Sequence, residues 1–93
     1  MLINSDSISI SGTHLQGEIR VSFDKLQSVF GNPILSEPGD KVQAEWMILF
    51  DNGVVATIYD WKEYGTPYEK VSVWHVGGFS KSALYKVRET LSI

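Results

Sequence analysis

The chain contains no cysteine, so disulfide stapling, thiolate catalysis and cysteine-rich zinc sites are excluded. It has no run near the roughly 20 apolar residues that a membrane helix needs. The opening stretch MLINSDSISISG shows neither the basic leader nor the apolar core of a signal peptide. These absences predict a soluble, cytoplasmic protein with no membrane partner. Charge of either sign is also scarce: 8 Lys and Arg stand against 11 Asp and Glu, a net charge of -3. That is too few cations for non-specific nucleic-acid binding by counterion release, and too mild a negative excess for a DNA mimic. His14, His75 and the scattered carboxylates lack metal-ligand spacing, and Ser80, His75 and Asp60 lack the context of a nucleophile elbow. The expectation is a non-enzymatic protein without metal or cofactor.

What is present suits one domain over residues 1–93, with 43% hydrophobic and 12% aromatic content for a single core. The stretch AEWMILFDNGVVATIYDW, Ala44 to Trp61, holds two alternating apolar runs across Asp51-Asn52-Gly53 and specifies a β-hairpin. A three-residue loop with Gly53 left-handed pairs Phe50 with Val54, Ile48 with Ala56 and Trp46 with Ile58. A two-residue turn at Asn52-Gly53 would instead place Glu45 opposite Asp60, a like-charge pair, so the three-residue loop is preferred.

Before the hairpin, Ile8 and Ile10 alternate with serines, Gly12 offers a turn, and Leu15, Gly17, Ile19 and Val21 alternate again, suggesting an opening pair of strands. VSFDKLQSVFGNP then shifts to helical period. Ser22 is its N-cap, Val21 and Leu26 are its staple, Phe23, Leu26 and Phe30 share a face, and Gly31 and Pro33 stop it. Ile34 to Lys41, with Pro38 and Gly39, reads as a loop. KEYGTPYEK reads as a connection, Val71 to Val76 as a strand ended by Gly77-Gly78, and FSKSALYKVRETL as a closing helix. In that helix Ser80 is the N-cap, Phe79 and Leu84 are the staple, and Leu84, Val87 and Leu91 form the buried stripe. The fold class is α+β: a small, mostly antiparallel sheet in β-β-α-β-β-β-α order with two helices packed on one face.

Two sets of residues could carry function. In the first, WHVGGFSK, a glycine pair precedes a helix start that carries Lys81 and no acid, so His75, Gly77, Gly78, Ser80 and Lys81 could hold a phosphate or carboxylate. The competing reading is a tight strand-to-helix turn whose amides are satisfied by Ser80 and water, with His75 bonded to nearby backbone. The second is an aromatic cluster of Tyr59, Trp61, Tyr64 and Tyr68 around a polar loop, residue types enriched at binding hot spots. Its structural alternative is core packing, which fits Trp46 better than Trp61.

The FGNP helix end at Phe30 to Pro33, the hairpin at Glu45 to Trp61 and the WHVGG turn at Trp74 to Gly78 together resemble a family of short bacteriophage-encoded proteins of unassigned function. The blocks match in order over most of the chain, while the region before Val21 is the least family-like. The resemblance implies a small accessory protein in the cytoplasm of an infected bacterium, binding and inhibiting a host or defence protein in an anti-CRISPR or other anti-defence manner. No catalytic residue carries over. The alternative is a module sequestering a phosphorylated-nucleotide signal at Gly77-Gly78. A domain this small would place such a site at an oligomer interface, so a homodimer is the matching state.

Overall fold

The hairpin forms in the register of the three-residue loop. In the computed structural model, which describes residues 3–5, 7–36, 41–62 and 65–93, β4 (Ala44–Leu49) pairs with β5 (Val55–Tyr59) so that Trp46 faces Ile58 and Ile48 faces Ala56. The Phe50 and Gly53 amides donate to Val54 and Phe50 carbonyls at 2.9 Å each, and Gly53 takes φ +85°. Glu45 therefore lies opposite Tyr59 in the ladder rather than opposite Asp60.

Four further strands extend this pair into one antiparallel sheet. β6 (Val73–Gly78) joins β5, and β2 (His14–Arg20) joins β6, with a bulge between Leu15 and Gly17. On the other side, β1 (Ile3–Asn4) and β3 (Ile34–Leu35) share the outer edge of β4. The order is β1-β4-β5-β6-β2, with β3 beside β4. The α+β order expected from the sequence is present, with β3 as an added short strand.

Alternation puts Ile19, Ala44, Trp46, Ile48, Ala56, Ile58, Trp74 and Val76 on one face, all buried. Helices α1 (Phe23–Phe30) and α2 (Lys81–Leu91) cover that face. Ser22 caps α1 by accepting from the Lys25 amide at 3.1 Å, and Gly31 ends it at φ +89°. Phe23, Leu26 and Phe30 form its buried stripe. Trp46 and Trp74 meet edge to face at 5.4 Å, with Phe23 at 5.8 and 6.4 Å from them. Both indole N–H groups are satisfied, by the Gly31 carbonyl at 2.8 Å and the Val71 carbonyl at 3.2 Å. Truncating a ring this enclosed costs about 3–5 kcal/mol.

The first strand differs from expectation. Ile8 and Ile10 form no strand; β1 lies earlier and pairs with β4, at the sheet edge opposite β2. That stretch is held by local turns instead: Ile8 N–H to Ser5 O at 3.3 Å, Thr13 N–H to Ile10 O at 3.0 Å, and Ser7 N–H to the Ser5 hydroxyl oxygen at 3.2 Å. Ile34-Leu35, expected as loop, pair with Glu45 and Ala44 because the α1 exit delivers them to the open edge of β4; Pro38 and Gly39 lie outside the described residues. In α2 the buried stripe is Ala83, Val87 and Leu91, with Leu84 half-buried and Phe79 55% exposed. The helix sits so close to β6 that an alanine is the residue that fits at the contact.

Candidate interaction surface around Trp61

The exit of β5 is fixed by a buried carboxylate. Asp60 is fully enclosed, and its Oδ1 accepts from the backbone amides of Gln43 at 2.8 Å and Ala44 at 3.0 Å. Its Oδ2 accepts from Gln43 Nε2 at 3.0 Å, and the same amide nitrogen also donates to the Thr66 carbonyl at 2.9 Å. These bonds tie the start of β4 to the end of β5. The Lys62 amide then donates to the Lys41 carbonyl at 2.7 Å.

Trp61 stands on this base with 41% of its surface exposed. Tyr59 meets it edge to face at 6.4 Å and 79°, and the ammonium groups of Lys41 and Lys62 lie 5.8 and 5.6 Å from its ring. The lysine contacts fall within the range in which a cation is attracted to an indole face. Lys62 reaches its place through a left-handed backbone at φ 57°, a conformation that L side chains adopt at a cost of about 1–2 kcal/mol.

Across the sheet face away from the helices, register aligns Glu45, Tyr59, His75 and Glu18 in one row. Tyr59 and His75 pack at 5.5 Å. Burial, and behind it the Asp60 charge, pushes the Glu45 carboxyl above the usual carboxylate range. Burial also raises the Tyr59 phenol, with the Glu45 charge adding to it.

Of the aromatic set, the structure brings Tyr59 and Trp61 together. It separates Tyr68, which packs on Phe23 at 5.2 Å against the helix-side core. Tyr64 lies outside the described residues. Lys41, Lys62 and Glu45 complete the surface above the buried Asp60, and neither lysine stands out in the sequence. Their proximity depends on the hairpin base, and only the like-charge argument about Glu45 and Asp60 touched it.

The anion set does not converge. Gly77 and Gly78 lie inside β6, paired with β5 on one side and β2 on the other, so they continue the strand that they were expected to end. A Cβ on Gly77 would stand 2.6 Å from Thr57 Oγ1, and one on Gly78 would stand 2.2 Å from Ala83 Cβ. Close packing on both faces accounts for the pair. His75 and Gly77 face away from the helices, whereas Gly78 faces α2. The Ser80 hydroxyl accepts from the Ser82 amide at 3.3 Å, and Lys81 Nζ donates to the Gln16 carbonyl at 2.5 Å. A cavity of about 190 Å³ beside the α2 start is lined by Ser80 but by none of the other four.

Asp60, His75 and Ser80 likewise serve separate neighbours. Among the described residues no three His, Asp or Glu side chains gather as a metal site, and no helix is long and apolar enough to cross a membrane. No protein-family model matches the chain, and neither the curated proteins nor the solved structures include a match to it.

Proposed function

We propose that this chain is a small phage accessory protein that acts in the host cytoplasm by binding and inhibiting a bacterial host or defence protein, without catalysis. The observation that carries the reading is the preorganised Trp61: an exposed indole braced by Tyr59, flanked by two lysines and set on a buried Asp60 anchor. Aromatic anchors of low side-chain entropy dominate interface energetics, and fixing one before contact lowers the ordering cost of association. The left-handed Lys62 adds to this, because local strain retained in a small domain concentrates where it serves contact. Lys41 and Lys62 favour an acidic rim on the partner, with a pocket for the indole.

Sequestration of a phosphorylated nucleotide at Gly77-Gly78 has weaker support, since the ladder and packing employ both glycines. The test is protection in vivo. Bacteria carrying a defence system are infected with phage while expressing either the wild-type chain or Trp61→Ala. The wild type should raise plaque formation and the variant should not, with both melting at the same temperature. Equal protection by a folded Trp61→Ala would sink the proposal.

A further inference from the structure

β2 is the end strand of the sheet, and among the described residues nothing pairs with its outer side. The Val21 amide donates inward to the Ser72 carbonyl at 3.0 Å. Backbone groups alternate along an antiparallel strand, so Ile19 also turns inward while the N–H and C=O of Glu18 and Arg20 point out of the sheet. Toward the start of β2, the bulge at Leu15/Gly17 and the Lys81 bond to the Gln16 carbonyl close the free ladder. What remains is a short exposed edge, Glu18-Ile19-Arg20, with outward hydrogen-bonding groups at its two ends.

The side chains on this edge are self-complementary. Glu18 and Arg20 are exposed, share the face away from the helices and make no ion pair among the described residues. If a second copy runs antiparallel with the two Ile19 residues opposite each other, Glu18 meets Arg20 of the partner subunit and Arg20 meets Glu18 of the partner subunit. Both are hydrogen-bonded positions. Centring the pair on Glu18 or Arg20 instead sets like charges face to face, so one register is selected. Along the same edge, Glu18, Ile19, Arg20, Arg88 and Ile93 line a groove of about 330 Å³, with Ile93 48% exposed. A two-fold axis through Ile19 brings the matching grooves together along the ladder, each with Arg88 and the exposed Ile93 beside the shared edge.

We infer that two copies of this chain associate through their β2 edges, antiparallel and centred on Ile19, to make one continuous sheet. The contact is small and the dimer correspondingly weak. It leaves Trp61 uncovered and is independent of what Trp61 binds.

Sedimentation of the full chain at rising concentration tests this together with amide hydrogen exchange. The mass should approach twice 10.4 kDa, with the Glu18 and Arg20 amides gaining protection in step. Glu18→Arg and Arg20→Glu singly should each weaken association by roughly tenfold or more, and the double variant E18R/R20E should restore it, because the pairing is merely reversed. A chain that stays monomeric at millimolar concentration would overturn the inference. So would a dimer that leaves those two amides exchanging freely, or singles that are not rescued by the double.

Discussion

Replacing Gly78 by alanine tests how α2 is seated on the sheet. The added methyl would stand 2.2 Å from Ala83 Cβ and 3.2 Å from the Val55 carbonyl oxygen, where ordinary contact begins near 3.4 Å. Neither neighbour is the flexible end of a side chain, so the helix as a whole must retreat. Overpacking of this kind costs about 2–3 kcal/mol, which in a domain of this size lowers the melting temperature by roughly 10–20 °C. The companion change, Ala83→Gly, costs about 1 kcal/mol in helix propensity alone. In the double variant the methyl moves from helix to strand and the clash disappears, so the two changes should couple favourably by about 1 kcal/mol or more. Thermal denaturation of the four proteins, followed by circular dichroism, gives the cycle. A Gly78→Ala protein that melts with wild type, or a cycle that is additive, would refute the close helix-strand contact and reopen Gly78 as a ligand position.

Asp60→Ala should destabilise by about 3 kcal/mol, because it strands the buried Ala44 amide and the half-buried Gln43 amide, and a fall in the urea midpoint measures it. Glu45 gives a pH signature. Its folded-state carboxyl is raised, so the native chain holds that proton longer, and stability should fall as pH rises from the ordinary 4.5 through the raised value. Glu45→Gln should remove that fall and be the more stable protein near neutral pH; a wild-type curve parallel to the variant's would count against the burial argument. Lys62→Gly relieves the left-handed backbone while removing one cation from the indole, so stability should change by no more than about 1 kcal/mol while partner engagement drops. A larger loss of stability would make Lys62 structural.

Wherever neighbours in sequence decide the outcome, the chain could be read directly. The hairpin register follows from loop length and one like-charge pair, and α1 follows from Ser22, its apolar stripe and Gly31. The serines around Ile8 and Ile10 imitate strand alternation, yet their hydrogen bonds are local turns. Gly77-Gly78 looks the same in sequence whether it frees a loop or admits a helix, and only Ala83, five residues beyond Gly78, tells the two apart. Trp61 could be chosen as an exposed aromatic, but its lysine flank comes from residues 21 positions apart, joined by the hairpin base.

One feature of the strand order bears on mechanics. β1 and β2 are consecutive in the chain yet occupy opposite edges, so the link between them is a belt that has to span the full width of the sheet. Four inter-strand gaps make that width roughly 19 Å, while nine extended residues reach about 30 Å. The surplus is taken up by the turns at Ile8 and Thr13. Cut to six residues, the belt would reach only about 20 Å and could not turn at all; β1, held to β4 by two residue pairs, would be the first to let go. The chain thus carries its own gauge of sheet width, buckled at one end by a two-residue strand.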